Sequence, residues 1–239
     1  MTKAIVLTSN SPRHIYFANK VSQYLDVVGI ISEPKSEYFE DQIKESQLIR
    51  QHFLNLVAYE KKYFGKFLEF PSLPLLSINK KEINKPETID WARKKEADVV
   101  VLFGTEILSE EWLNLYADRI VNLHLGCSPR YRGSATLFWP FFNRELNFVA
   151  ATIHLAELRV DAGRILKVVT PDIIDGDNYY DTTCKAIKKS IDNFSSVIKD
   201  YLKGVVIPIQ QSKEDQKYCY RKRDFTEDAL RTVMEKYGP

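Results

Sequence analysis

Apolar residues fall along this chain in two rhythms. Two short runs, Ala4-Ile5-Val6-Leu7 and Val27-Val28-Gly29-Ile30-Ile31, are apolar at almost every position. That is the mark of strands covered on both faces, as in parallel sheets. Between them, Ile15, Phe17, Ala18, Val21 and Leu25 recur at helical spacing over residues 13–25. The polar stretch Thr8-Ser9-Asn10-Ser11-Pro12 supplies capping residues and a proline for the helix's first turn. Strand, helix and strand in succession predict a crossover unit of a parallel sheet.

The same reading continues downstream. Residues 36–64 are charged, with apolar positions near helical spacing, and predict one or two surface helices ended by Phe70-Pro71-Ser72-Leu73-Pro74. A helix over 86–96 opens on Pro86 and leads into Asp98–Phe103, the clearest buried strand. Gly104-Thr105 end that strand, and a short helix follows through Trp112. Ile120–His124 is the next strand, followed by a loop with Gly126, Pro129 and Gly133 and an aromatic helix over 136–142. Phe148–Leu155 and Arg164–Val169 form a strand pair around a turn at Gly163. A long helix over 178–203, a short strand Val205–Ile209 and a helix over 225–236 complete the chain. No internal repeat or linker interrupts it. The expected fold class is α/β: a Rossmann-like, mostly parallel sheet flanked by helices over residues 1–203. Residues 204–239 are expected as a C-terminal strand and helix extension packed on the same domain.

Composition narrows the classes. At 239 residues the chain can bury a full core, and a net charge of +2 lacks the basic excess of a nucleic-acid binder. No apolar run is long enough for a transmembrane helix, and the first residues have no signal-peptide pattern. Cys127, Cys184 and Cys219 form no CxxC pair, so neither a disulfide framework nor a metal site is expected. A cytoplasmic, reduced protein without nucleic-acid or membrane partners is the expectation. Glycine is scarce, nine in all, and Gly104, Gly126, Gly133 and Gly163 cluster in the middle of the chain.

Candidate chemistry lies in that middle. Asn122 and His124 are two apart on a strand, so they share a face, at the C-terminal end where open parallel sheets hold ligands. They either hydrogen-bond to neighbouring loops or act on a ligand. Asp161, in Val160-Asp161-Ala162-Gly163, is either simple turn chemistry or a carboxylate that reaches His124 from a neighbouring loop. The first loop has no glycine motif for a dinucleotide or nucleoside triphosphate. Arg13 and His14 stand instead at a helix N-terminus, either as a solvated first turn or as contacts for an anionic ligand.

These residues resemble the folate-dependent formyltransferases. The stretch Asn122-Leu123-His124-Leu125-Gly126-Cys127-Ser128-Pro129-Arg130-Tyr131-Arg132-Gly133 is similar to the family's Asn-x-His signature and Pro/Gly loop, and Asp161-Ala162-Gly163 to its later Asp-x-Gly motif. The resemblance covers roughly residues 95–170. It implies N10-formyltetrahydrofolate as co-substrate, with no metal, and a catalytic set of Asn122, His124 and Asp161. Phe103, Gly104, Thr105 and Ile107 would hold the folate.

The HLG variant and the stretch RYRGSATLFWPF look most like the sugar N-formyltransferases. That likeness implies an acceptor amine on a dTDP-linked 4-amino-4,6-dideoxysugar, a cell-surface glycan precursor. Arg13, His14 and Arg132 would then face the diphosphate, while Tyr131 and Trp139 would stack on the base or sugar. For the aromatics the alternative is a place in the core. The length reads as too short for an added RNA-binding domain. Alternatives are glycinamide ribonucleotide as acceptor, formyltetrahydrofolate hydrolysis, or a non-catalytic folate- or nucleotide-binding module. The segment YCYRKRDF is either part of a homodimer interface or a cover for the core.

Overall fold

The computed structural model describes residues 1–34, 43–44 and 46–239. Residues 35–42 and 45, part of the stretch expected to form surface helices, lie outside the described residues. Seven strands form one sheet, in the order β3-β2-β1-β4-β5-β7-β8. These are β1 (Lys3–Ser9), β2 (Asp26–Glu33), β3 (Leu75–Ser77), β4 (Val99–Phe103), β5 (Ile120–His124), β7 (Ala151–Leu155) and β8 (Ile165–Val169). The strands from β3 to β5 pair in parallel, whereas β7 and β8 are antiparallel to their neighbours. This is the α/β, mostly parallel arrangement that the apolar runs predict.

Alternation along the strands explains the two covered faces. Ala4 and Val6 of β1 and Val99, Val101 and Phe103 of β4 enter one core cluster. It is shared with α1 (Pro12–Ser22), α2 (Gln47–Phe64) and α6 (Tyr179–Leu202). Ile5, Leu7, Val100 and Ile120 enter the other, beneath α3 (Pro86–Arg93) and α4 (Glu110–Leu115), where Ile89 and Trp112 are fully buried. Full burial of side chains of this size stabilises by roughly 1.5–3 kcal/mol each. The long helix α6 starts at Asn178, whose side chain accepts from the amides of Tyr180 and Asp181. Among the described residues, no helix is long and apolar enough to cross a membrane.

Three short strands were not expected. β3 extends the parallel sheet, while β6 (Tyr131–Gly133) and β9 (Tyr218–Tyr220) form a separate two-stranded sheet. The short helix α5 (Trp139–Phe142) and α7 (Glu227–Tyr237) pack beside it. Conversely, the expected strand Val205–Ile209 is irregular. Its residues 205, 207 and 209 are exposed, and Pro208 has no N–H to donate, so a single bridge from Ile209 to Ile165 is all that forms. The segment 218–225 covers the core: Tyr220 stacks on Trp139 at 3.8 Å and Phe225 is buried.

Candidate active site

The site grows from the register of two strands. β5 and β7 run antiparallel, with Asn122 opposite His154 and His124 opposite Thr152. Residues directly opposite share a face of the sheet, so all four polar side chains fall on one patch at the C-terminal end of β5. Their apolar neighbours Val121, Leu123, Ile153 and Leu155 point into the core on the other face. Thr152 then fixes the loop after His124: its hydroxyl donates to Gly126 O at 2.6 Å and accepts from the Ser128 amide at 3.0 Å.

Beyond β7 the chain turns back over this patch and brings in Asp161. Gly163 packs so tightly in that turn that a Cβ would lie 1.7 Å from the Leu155 carbonyl oxygen, which only glycine tolerates. Asp161 Oδ1 comes to rest 3.3 Å from His124 Nδ1 and 3.7 Å from His154 Nε2. Burial pushes the Asp161 carboxyl up, but the attraction of His124, supported by His154, outweighs it and holds the group well below the usual carboxylate range. Asp161 is therefore a fixed anion beside the His124 ring.

His154 organises Asn122. Its Nδ1 lies 2.8 Å from Leu155 O, so that nitrogen carries a proton and the ring is fixed in place. Asn122 Nδ2 sits 3.1 Å from Nε2, which turns the amide nitrogen toward the ring and leaves its second N–H for another acceptor. His124 Nε2 is buried and has no hydrogen-bond partner among the described residues. It faces Gly126, where a Cβ would stand 2.5 Å from Nε2 and 2.7 Å from Thr136 Oγ1. His124 thus faces the Asp161 carboxylate with Nδ1 and Gly126 with Nε2, while Asn122 and Asp161 line a neighbouring cavity together.

Cavities flank this centre. One of about 110 Å³ lies between the loop after β4 and the Asp161 turn, lined by Leu102, Gly104, Thr105, Ile107, Asn122, His154 and Asp161. Its lining is mixed, with the carboxylates of Glu106 and Glu157 beside Leu108, Leu113 and Val160. Phe103 does not line it. The Phe103 ring is buried, and its carbonyl accepts from Thr8 Oγ1 at 2.9 Å. Glu33 braces the loop, with Oε1 accepting from the Glu106 amide at 2.6 Å. Burial pushes the Glu33 carboxyl up to about 6, against the pull of that amide. The other cavity, of about 260 Å³, is lined by Arg13, His52, Leu125, Thr136, Tyr179, Thr183 and Phe225 among others.

The remaining expected residues divide. Arg13 lines the larger cavity and pairs with buried Glu60 at 2.8 Å. His14 is buried instead of facing solvent, with Nδ1 2.6 Å from Ser11 Oγ and its ring against Phe103. Arg132 donates to the carbonyl of Val160 and to Gln216, so it supports the Asp161 turn. Tyr131 and Trp139 are corrected as stacking platforms. Their exposures are 0% and 1%, because Tyr131 is sealed under Tyr218 with its hydroxyl on Glu145, and Trp139 under Tyr220. Burial pushes the Cys127 thiol up, away from the thiolate form. The sequence reading missed His154. A lone histidine in Ala-Thr-Ile-His-Leu reads as strand interior, and only the register with Asn122 reveals its part. Among the described residues no group of His, Cys, Asp and Glu is arranged to hold a metal ion.

Comparison with known proteins follows the same lines. The model of the formyl transferase family matches residues 2–198. In sequence, methionyl-tRNA formyltransferase of Clostridium novyi (strain NT) is 30% identical over 138 residues, covering 57% of this chain and 43% of that protein. The match thus spans less than half the length of such curated relatives. In structure, a sugar N-formyltransferase from Shewanella sp. FDAARGOS_354 superposes with a TM-score of 0.60 at 18% identity, covering 94% of this chain and 78% of that one. Glycinamide ribonucleotide transformylase 1 from Symbiobacterium toebii gives 0.61 at 14% identity, covering 89% and 95%. At these identities the two structures speak to the fold.

Proposed function

The chain belongs to the formyl transferase family, and from that premise we propose that it moves the formyl group of N10-formyltetrahydrofolate to a primary amine. The acceptor in this reading is a nucleotide-linked amino-deoxysugar, specifically a dTDP-linked 4-amino-4,6-dideoxysugar. The observation that supports the reading is the contact of Asp161 with His124 beside Asn122, which shares the sheet face of His124 and a cavity wall with Asp161. The cavity beside Gly104, Thr105 and Ile107 supports a folate ring at its edge.

The co-substrate supplies an activated formyl carbon. This chain's residues do the rest. Asn122 directs its free amide N–H, and charged His124 its Nε2–H, at the formyl oxygen, where negative charge builds as the amine attacks. Asp161 keeps His124 charged and holds a water that accepts the proton leaving the amine. The C–N bond to the acceptor forms, the C–N10 bond breaks, and N10 takes up a proton, so the products are an N-formyl sugar and tetrahydrofolate. Arg13, which lines the larger cavity and pairs with Glu60, is the cation this reading assigns to the acceptor's diphosphate.

The test is release of tetrahydrofolate when purified protein meets N10-formyltetrahydrofolate and a panel of acceptors, with mass spectrometry of the acceptor. The panel holds dTDP-linked 4-amino and 3-amino sugars, glycinamide ribonucleotide, methionyl-tRNA and buffer alone. A formylated dTDP-4-amino sugar supports the reading. Methionyl-tRNA belongs in the panel because the sequence relative at 30% identity bears that name. Product from it alone replaces the sugar reading, and turnover in buffer alone points to hydrolysis.

A further inference from the structure

The turn that carries Asp161 is held from outside by the C-terminal segment. Gln211 directs its amide nitrogen into that turn, with Nε2 3.0 Å from the carbonyl oxygen of Asp161 and 2.7 Å from that of Gly163. The opposite amide orientation would set Oε1 against two carbonyl oxygens, so the donor assignment is fixed by its partners. Oε1 itself is buried and accepts from nothing among the described residues. Leaving a buried acceptor unmet costs free energy, so the side chain gives up one hydrogen bond to make the two on the turn.

The turn needs such a hold. Asp161 adopts φ of 52°, a left-handed conformation that costs a residue with a Cβ some free energy, although Asp tolerates it better than most. The segment bearing Gln211 is itself tied down, because Ile209 and Ile165 exchange two backbone hydrogen bonds of 2.8 Å at the start of β8. Further along, Gln216 Oε1 accepts from Arg132 at 3.1 Å and from Arg159 at 3.4 Å, and Arg132 reaches on to the Val160 carbonyl. Gln211 and Gln216 both lie beyond the residues 2–198 that match the family model.

We propose that Gln211 is a positioning residue for Asp161: its amide clamps the turn from the C-terminal segment and keeps the carboxylate on His124. The proposal rests on the reading of Asp161 as part of the formyl-transfer site. Gln211 bonds to backbone oxygens on the outer side of the turn and acts through Asp161 alone.

The experiment replaces Gln211 by Met, which keeps the volume and removes the donors, and by Ala, in the full chain. The first readout needs no substrate: crystal structures of the variants, read at the Asp161–His124 contact of 3.3 Å. Loss of the clamp separates Asp161 from the two histidines that hold its carboxyl low. That contact therefore opens beyond hydrogen-bond reach in both variants. The second is kinetic: kcat falls about tenfold or more, while the KM for N10-formyltetrahydrofolate stays within about twofold. A Met variant that keeps the wild-type melting temperature separates the clamp from a general loss of structure, should the Ala variant unfold. An unchanged Asp161–His124 contact in the folded variants overturns the proposal. An opened contact in a protein that transfers no formyl group leaves the clamp standing and removes the functional reading instead.

Discussion

The amide nitrogen of Asn122 lies 3.1 Å from Nε2 of His154, and the two residues stand directly opposite one another on β5 and β7. The histidine's other nitrogen is spent on the Leu155 carbonyl, so the ring cannot turn without losing a buried hydrogen bond. Asn122 thereby receives its orientation from a residue thirty-two positions away.

That pairing predicts non-additive kinetics. On the proposed mechanism, Asn122→Ala removes a donor to the formyl oxygen and is expected to lower kcat by about 10²-fold or more. His154→Leu leaves the amide present but unoriented and lowers kcat by roughly tenfold, and the double variant is no slower than Asn122→Ala alone. A double-mutant cycle on kcat/KM gives a coupling of about 1 kcal/mol or more. Simple multiplication of the two losses would show that His154 acts independently.

Gly126 leaves the space between His124 Nε2 and Thr136. Gly126→Ala is expected to lower kcat by about 10²-fold, because its Cβ must displace one of two groups 2.5–2.7 Å away. The KM for N10-formyltetrahydrofolate changes little, since the cavity beside Gly104 is untouched. Steady-state kinetics with each substrate varied in turn check this.

Glu33 predicts a pH-dependent stability. Its carboxyl is raised to about 6 by burial, above the ordinary value near 4.3 of an unfolded chain. As pH rises from about 4 to about 6 the unfolded state loses its proton first, so wild-type stability falls over that window and stays lower above it. Glu33→Gln keeps an acceptor for the Glu106 amide without the buried charge. The variant is expected to be more stable than wild type by about 1–2 kcal/mol at pH 8 and equal at pH 4. Urea denaturation at the two pH values measures it.

The frame of the fold is legible in the sequence wherever burial on both faces leaves a continuous apolar run, as at Val99–Phe103, or where a long helix carries a wide apolar face, as at Tyr179–Leu202. Strands of three residues such as Leu75–Ser77 and Tyr218–Tyr220 have no room to show a period. Val205–Ile209 has the β-branched composition of a strand but no neighbour to pair with beyond Ile165. In the site, Asn122, His124 and Asp161 stand out because polar residues interrupt apolar strands or glycine turns. His154 and Gln211 do not, since their roles exist only through partners far along the chain. Trp139 and Tyr131 mislead for a related reason: an aromatic cluster looks the same in sequence whether it faces a ligand or stacks on Tyr220 and Tyr218.

The central claim is that Asp161, held 3.3 Å from His124, drives formyl transfer through that histidine. The most direct measurement is the turnover of Asp161→Asn with N10-formyltetrahydrofolate and a dTDP-linked 4-amino-4,6-dideoxysugar, beside calorimetric binding of both ligands. The account predicts kcat reduced by about 10²–10⁴-fold with both ligands bound nearly as in the wild type. Turnover within a few-fold of wild type would contradict it.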